Sequence, residues 1–268
     1  MTFWGGELKW KFASLRLKKQ LNLSSHFLEV KVYSPSELKS RCDSKTKNFI
    51  RENPKGYGYW IWKPILILDF FRNNPNIDVL LYLDAGCEFI SNPSSDITWS
   101  HYLEEVGKSD ALFFQNDLKE SSWTKQELFE YLNVSAAEQM TDQLVGGAFL
   151  MSRIFALDFC HRWLEIMQAD NFLYANDEVN YLKQKMEFRE HRYDQSTLSI
   201  LAKREPNVCI LRGHEEIYFP KNWQNALHKP IWTPRNGSYF PILKQSLFLR
   251  HARKLEKLLN FILKNLRN

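Results

Sequence analysis

An acidic residue at the end of an apolar segment is the feature of this sequence with the clearest chemical meaning. Residues 79–89 read V-L-L-Y-L-D-A-G-C-E-F, so Asp84 follows a hydrophobic run and precedes the small pair Ala85-Gly86. A carboxylate placed there can hold Mg²⁺ or Mn²⁺, which then bridges the oxygens of a diphosphate. Glu88, four residues further on, is a second candidate ligand. The alternative is an acid that only accepts hydrogen bonds from turn amides.

A second segment combines aromatic rings with a lysine. Residues 56–64 read G-Y-G-Y-W-I-W-K-P. Aromatic faces stack on bases and sugar rings, and the ammonium of Lys63 could meet a phosphate. Tyr59, Trp60 and Lys63 are therefore candidate ligand-binding residues. A hydrophobic plug beneath a helix start would also explain Trp60 or Trp62, but it would not need the flanking glycines.

Two more segments place small or polar groups where a ligand could approach. Residues 191–196 read H-R-Y-D-Q-S, which puts Asp194 and Gln195 near the start of a predicted helix. They either cap that helix or face a sugar. Gly146-Gly147 precedes a predicted strand, where missing side chains admit a ligand or form a simple bulge.

A histidine near the C-terminus is a weaker candidate. His228 precedes Lys229-Pro230, with Arg235 behind it. Imidazole suits Mn²⁺ better than Mg²⁺. A single histidine is nevertheless more often structural than a metal ligand.

The elements that must position these residues alternate between strand and helix. Ser34 is predicted to cap a helix, Pro64 to lie in the first turn of another, and 78–83 to form a buried parallel strand. This alternation predicts an α/β sheet with helices on both faces, where ligands bind at the carboxyl ends of strands. The predicted strands are 28–33, 78–83, 111–114 and 147–151, and the predicted helices are 63–71, 98–107, 124–132, 153–168 and 194–204.

Composition and the absence of common motifs exclude several classes. The chain has 268 residues, 44% of them hydrophobic and 25% charged, as in ordinary globular proteins. Its longest apolar run, 144–151, is too short to span a membrane, and no secretory signal is visible. Four scattered cysteines argue against a zinc ribbon or a disulfide scaffold and favour the cytoplasm. No G-x-G-x-x-G or P-loop motif occurs, which disfavours dinucleotide dehydrogenases and P-loop NTPases.

The positive charge is concentrated at the C-terminus. Residues 244–268 hold seven Lys and Arg against one Glu, a net +6, whereas the whole chain carries +5. The remainder is therefore close to neutral, and no nucleic-acid partner is expected. Apolar residues at helical spacing make 244–268 a basic amphipathic helix. It either lies on an anionic membrane surface or docks on the domain.

Taken in order, the motifs G-Y-G-Y-W-I-W-K-P, L-L-Y-L-D-A-G-C-E, W-T-K (123–125), V-G-G-A-F-L and H-R-Y-D-Q-S resemble bacterial GT-A-fold glycosyltransferases. These enzymes build surface polysaccharide or lipopolysaccharide, and the resemblance covers roughly residues 1–240. It implies a GT-A-like, Rossmann-like mixed sheet flanked by helices, in a single domain over 1–243. Residues 1–115 would form its nucleotide-binding half and 116–243 its acceptor half, followed by the helix 244–268.

The resemblance also implies roles for residues. Asp84 falls on the first acid of the family's D-x-D motif, which holds a divalent metal (Mn²⁺ or Mg²⁺) and the donor diphosphate. From the residues and the resemblance together, the predicted donor-binding residues are Tyr59, Trp60, Lys63, Asp84, Ala85, Gly86 and Arg235. The predicted acceptor-binding residues are Trp123, Gly146 and Gly147. The predicted catalytic residues are Asp194 (as a candidate base) and Gln195, and the predicted metal ligands are Asp84, Glu88 and His228.

This chain departs from the family in two places. Gly86 stands where the last acid of D-x-D is usual, so the metal would need help from Glu88 or His228, or would be bound weakly. Only Thr2-Phe3-Trp4 precede Gly5-Gly6, where the family has a full nucleotide-binding strand, so a reduced base-binding edge is expected.

The expected function is transfer of a sugar from a nucleotide-sugar donor to a glycan or lipid-linked acceptor. The expected location is the cytoplasm or the inner face of the membrane. A sugar nucleotidyltransferase ranks lower, because Gly5-Gly6-Glu7 lacks the arginine of that class's glycine-rich loop. A non-catalytic protein of degenerate transferase fold, which binds a glycan or acts as a membrane scaffold, stays open as the alternative.

Overall fold

A computed structural model describes residues 1–217 and 226–242. In that part of the chain, strands and helices alternate as the sequence predicts. The strands are β1 (Thr2–Phe3), β2 (Val32–Tyr33), β3 (Val79–Leu83), β4 (Glu88–Phe89), β5 (Ala111–Lys119), β6 (Asp142–Ser152), β7 (Val208–Arg212) and β8 (Ile231–Trp232). The helices are α1 (Leu8–Leu23), α2 (Pro35–Arg41), α3 (Ser44–Glu52), α4 (Gly56–Tyr59), α5 (Trp62–Asn73), α6 (Pro93–Lys108), α7 (Glu120–Trp123), α8 (Gln126–Tyr131), α9 (Ala136–Gln139), α10 (Arg153–Phe172), α11 (Asp194–Lys203) and α12 (Gly213–Glu216), with a 3-10 turn at Leu173–Ala175.

The central sheet has the strand order β3-β6-β5-β7. Strand β6 is antiparallel to both β3 and β5, whereas β5 and β7 are parallel, so the sheet is mixed. The prediction that 78–83 is a parallel strand is therefore wrong for its pairing with β6. Its apolar run arises because side chains on both faces are buried.

Helices cover both faces of this sheet. Alternate strand residues such as Tyr82 and Phe149 join one apolar core, into which α5 and α10 pack. The intervening residues, such as Leu83 and Leu150, join a second core with α1 and α6. The two-residue periodicity of strands sends neighbours to opposite faces, which explains the two cores. The predicted mixed α/β sheet flanked by helices is confirmed.

The chain start lies against the open edge of β3. Strand β1 pairs in parallel with β2, and the Met1 amino group donates to the Leu81 carbonyl at 2.8 Å. The Leu83 amide in turn donates to the Met1 carbonyl at 3.1 Å. Burial lowers the pKa of this amino group to about 5. The short first strand thus ends where the cleft described below begins.

Several local predictions differ in their bounds from the structure. Ser34 caps α2 through a capping box with Glu37, as predicted. The predicted strand 28–33 shrinks to Val32–Tyr33, and the predicted helix 124–132 shrinks to Gln126–Tyr131. Gly146-Gly147 lies inside β6 rather than before it. The predicted helix 244–268 falls outside the described residues. Among the helices that are described, none is long and apolar enough to cross a membrane.

Candidate active site

A cleft of about 1220 Å³ opens where β3 ends. Both predicted halves of the domain line it, from Phe3 and Trp10 on one side to Asn116 and Arg192 on the other. Four of the five motifs meet in this one space. The predicted site residues that line it are Trp60, Lys63, Asp84, Ala85, Gly86, Gly146, Gly147, Asp194, Gln195 and Arg235.

Asp84 presents its carboxylate to the cleft directly after β3. Its side chain is 39% exposed. Its backbone amide donates to the Gly147 carbonyl at 2.8 Å, and the Tyr82 hydroxyl donates to its Oδ1 at 2.5 Å. A Cβ on Gly147 would lie 2.7 Å from Asp84 Oδ2. The glycine therefore makes room for the carboxylate at the edge of the cleft.

Lys63 brings a buried positive charge to the cleft floor. Helix α5 carries it inward until only 3% of the side chain is exposed. Its ammonium lies 2.6 Å from Asp194 Oδ2 and 3.6 Å from Asp84 Oδ1, and it donates to the Gly146 carbonyl at 2.7 Å. Burial alone would lower its pKa, but the two carboxylates outweigh burial and raise it. The group is therefore an ammonium ion throughout the physiological range.

Asp194 opens helix α11 at the back of the cleft. The preceding residue, Tyr193, has a φ of 49°, a conformation that non-glycine residues rarely adopt. Burial raises the pKa of the Asp194 carboxyl to about 6, although Lys63 opposes the shift. Asp194 thus changes charge close to neutral pH, which is typical of groups at functional sites.

Gln195 is held by the β6 backbone and by a neighbouring amide. The Gly146 amide donates to Gln195 Oε1 at 3.2 Å, and Gln195 Nε2 donates to Gln143 Oε1 at 2.8 Å. A Cβ on Gly146 would lie 3.0 Å from Gln195 Cβ. The glycine pair therefore lets α11 approach the strand closely and fixes Asp194 beside Lys63.

The aromatic wall of the cleft rests on an unusual turn. Residues 56–60 all have positive φ, from 51° at Tyr59 to 83° at Gly58. Such left-handed geometry costs about 1–2 kcal/mol for each non-glycine residue. It places the Trp60 ring against Tyr193, with centroids 5.7 Å apart and planes at 23°. Part of the backbone strain in the described residues thus lies at the cleft, as is common at ligand sites.

The predicted metal set of Asp84, Glu88 and His228 is not assembled. The side chain of Glu88 is completely buried, and its Oε1 accepts from Asn236 Nδ2 at 2.7 Å and from the Ile242 amide at 2.9 Å. His228 is exposed and does not line the cleft. The structure therefore does not bring Glu88 and His228 together with Asp84. Glu88 serves instead to hold the segment around 236–242.

Two predicted contact residues lie behind the cleft instead of lining it. The Tyr59 hydroxyl donates to Asp177 Oδ2 at 3.0 Å. The Trp123 ring lies under the Arg192 guanidinium, 4.2 Å from its centroid, and the Trp123 carbonyl accepts from Ser196 Oγ at 2.9 Å. The structure therefore does not support direct donor contact by Tyr59 or direct acceptor contact by Trp123. Trp123 instead supports Arg192, which does line the cleft.

A divalent cation would find limited support from the protein. No group of three His, Cys, Asp or Glu side chains suited to a metal occurs within residues 1–217 and 226–242. Asp194 is committed to Lys63 and is 5% exposed, so Asp84, at 39%, is the more accessible of the two carboxylates. Mg²⁺ is often bound by one or two carboxylates together with substrate phosphates. Asp84 fits that mode but not a closed, all-protein site.

Two residues at the site, Tyr82 and Arg192, were not predicted from the sequence. Tyr82 lies two residues before Asp84 on a strand, so the alternation of side chains already placed both on one face. That signal was available but unused. Arg192 stands inside the H-R-Y-D-Q-S motif, yet nothing in the spacing marks it as facing the cleft.

No protein-family model and no curated protein matches this chain. Among solved structures, a glycosyltransferase involved in the glycosylation of the major capsid of PBCV-1 aligns with a TM-score of 0.47 and 10% identity, covering 86% of this chain and 90% of that one. Mouse xyloside xylosyltransferase 1, in its apo form, aligns with a TM-score of 0.41 and 12% identity, covering 83% and 81%.

Proposed function

We propose that this protein is a glycosyltransferase that moves a sugar from a nucleotide-sugar donor to a hydroxyl of an acceptor. One observation carries the proposal. Four sequence segments that resemble GT-A-fold glycosyltransferases, separated by up to about 130 residues, line a single cleft around the exposed Asp84 carboxylate. If each segment had only a structural role of its own, the four segments would not need to line the same cleft.

The cleft offers what such a transfer needs. When the bond from the anomeric carbon to the diphosphate oxygen breaks, its electron pair stays on that oxygen and negative charge builds up there. Lys63 at the floor and Arg235 at the rim are the cations that would stabilise this charge. The acceptor hydroxyl oxygen then bonds the anomeric carbon, and its proton is released to solvent in the cleft. The aromatic wall at Trp60 and Trp62 is suited to stacking on the base or the sugar ring.

The roles of Asp84 and Asp194 differ in this proposal. Asp84 would hold a divalent cation jointly with the donor phosphates, and such an ion neutralises the leaving diphosphate. Asp194 is buried against Lys63, so we assign it to holding that ammonium in place rather than to accepting the proton. Gln195 would fix Asp194 through β6.

The finer features rest on the resemblance alone. We propose a glycan or lipid-linked acceptor, a place in cell-surface polysaccharide synthesis, and a peripheral position at the inner face of the membrane to which 244–268 contributes.

Release of nucleoside diphosphate from a panel of nucleotide-sugars, with Mn²⁺ or Mg²⁺ present, tests the proposal. Asp84→Ala should abolish release. Asp117→Ala is the matched control, because that carboxylate lies on β5 with 74% of its side chain exposed and outside the cleft. Equal turnover by Asp84→Ala and the wild type would refute the assignment.

A non-catalytic glycan- or nucleotide-binding protein is the second candidate, favoured by Gly86 in place of a second acid. It predicts quenching of Trp60 and Trp62 fluorescence by a donor without release of any diphosphate.

A further inference from the structure

One face of helix α1 is apolar and uncovered within the described part of the chain. Leu8, Phe12 and Leu15 are 66%, 49% and 43% exposed. Their spacing of four and three residues places them on the same side of the helix. Leu17 and Leu21, on the opposite side, pack into the core with α6 and the sheet. Helix α1 is thus apolar on both sides, although one side alone is enough to hold it on the domain.

The same exposed side is strongly basic. Lys11, Lys18 and Lys19 are exposed between and beside the three apolar residues. The helix, L-K-W-K-F-A-S-L-R-L-K-K-Q-L-N-L, contains no Asp or Glu. We call the six residues Leu8, Lys11, Phe12, Leu15, Lys18 and Lys19 the α1 face. Interleaved lysines and large apolar side chains are the composition of helices that lie in an anionic lipid interface.

More exposed aromatic surface adjoins α1. Arg16 donates to the Asn236 carbonyl at 2.9 Å, and a Cβ on Gly237 would lie 3.3 Å from the Lys9 side chain. This segment therefore runs along α1, and it leads directly to Tyr239 and Phe240, which are 43% and 61% exposed. The apolar surface of the α1 face thus continues beyond the helix.

The segment 244–268 carries charge of the same sign as the α1 face. Residues 244–268 follow this segment in the sequence and carry a net +6. Like charges repel, so docking this segment on three exposed lysines would be unfavourable. Both would instead be attracted to the same negative surface.

We propose that the α1 face, together with Tyr239 and Phe240, docks on the surface of an anionic lipid bilayer. Lys11, Lys18 and Lys19 meet the headgroups, and Leu8, Phe12 and Leu15 enter the boundary between headgroups and acyl chains. This surface does not depend on the proposed transferase activity. Because Glu7 and Trp10, at the start of α1, line the cleft, docking brings the cleft mouth near the headgroups.

Vesicle co-sedimentation of the full chain tests the proposal. The wild type should bind vesicles of phosphatidylcholine mixed with phosphatidylglycerol, bind phosphatidylcholine alone much more weakly, and lose binding as salt rises. The double variant Phe12→Ser/Leu15→Ser should bind the anionic vesicles at least about tenfold more weakly. Lys11→Gln/Lys18→Gln/Lys19→Gln should bind the anionic vesicles at least about tenfold more weakly, although residues 244–268 keep their net charge of +6.

The control removes equally exposed apolar side chains elsewhere. Ile97 on α6 and Ile154 on α10 are 74% and 83% exposed, and Ile97→Ser/Ile154→Ser should bind like the wild type. Failure of the wild type to bind anionic vesicles would overturn the proposal, as would wild-type binding by Phe12→Ser/Leu15→Ser. A large fall in the melting temperature of that variant would also overturn it, because it would mean that protein covers the α1 face.

Discussion

The ammonium of Lys63 lies 2.6 Å from the Asp194 carboxylate, although 3% and 5% of the two side chains are exposed. Moving two charges out of water costs several kcal/mol for each ion, and their attraction often only balances that cost. Such a pair is weak evidence for stability. The pair lies at the floor of the cleft, with the Lys63 ammonium 3.6 Å from Asp84 Oδ1, which fits the role in charge stabilisation that we propose for Lys63.

Replacing Lys63 by Met should destabilise the protein strongly. The change leaves Asp194 buried without its cation, and breaking a buried pair costs about 3–5 kcal/mol. Urea unfolding at neutral pH measures the loss. Asp194→Asn should cost less, because Lys63 keeps Asp84 and the Gly146 carbonyl as partners.

The double variant Lys63→Met/Asp194→Asn completes the cycle. It should be more stable than Lys63→Met alone, since no uncompensated charge remains. Strictly additive losses would contradict a direct coupling between the two groups.

The stability contribution of Asp194 should depend on pH. Its pKa is raised from 3.8 to about 6 by burial, so the folded state binds its proton more tightly than the unfolded state. The resulting stabilisation is complete below about pH 4 and is lost as the pH rises through about 6. The unfolding free energy of the wild type should therefore fall relative to that of Asp194→Asn by up to about 3 kcal/mol across this interval. Urea titrations of both proteins at several pH values measure the difference, and a pH-independent difference would contradict the raised pKa.

The sequence predicted the parts of the fold that depend on local patterns. Alternation and apolar runs located β3 and β5, and the capping serine located the start of α2. The pairing of β3 was predicted wrongly, because an apolar run reports burial on both faces and says nothing of strand direction. Direction depends on which distant strand lies alongside, here β6.

The candidate site, like the fold, was predictable where it depends on local pattern and not where it depends on distant contacts. Asp84 was located by its position after an apolar strand, and the cleft brings it together with Lys63 and Asp194. Glu88 was predicted to share a ligand with Asp84 because only four residues separate the two. After Asp84 the chain turns and enters β4, which pairs with β8 and carries Glu88 into the interior beside Arg16. Contacts with residues 148 and 154 positions away cannot be inferred from local spacing.

Glu88→Gln should separate a structural role from metal binding. Glu88 accepts hydrogen bonds from Asn236 and Ile242 and lies 3.9 Å from the Arg16 guanidinium. The amide keeps the shape but loses the charge, so we expect a loss of about 2 kcal/mol in unfolding free energy. The metal dependence of diphosphate release by the folded enzyme should not change. Asp84→Asn should do the opposite, with near-normal stability and altered metal dependence. Altered metal dependence in Glu88→Gln would restore Glu88 as a ligand.

Gly147→Ala should remove the activity while preserving the fold. The backbone of Gly147 does not need glycine for its conformation, but the new Cβ would lie 2.7 Å from Asp84 Oδ2 and 3.2 Å from its Cγ. The carboxylate must then rotate away, giving up the 2.5 Å hydrogen bond from Tyr82 and its place in the cleft. Because the end of a short side chain can move, the cost in stability should stay near 1 kcal/mol, close to the value of that one hydrogen bond. Diphosphate release should fall by at least about a hundredfold, as when one group that stabilises transition-state charge is lost.

Gly107→Ala on α6 is the control, since nothing lies within 4 Å of its added Cβ. It should keep full activity and gain up to about 1 kcal/mol in unfolding free energy from improved helix propensity. Full activity in Gly147→Ala would mean that the observed position of the Asp84 carboxylate is not required for transfer.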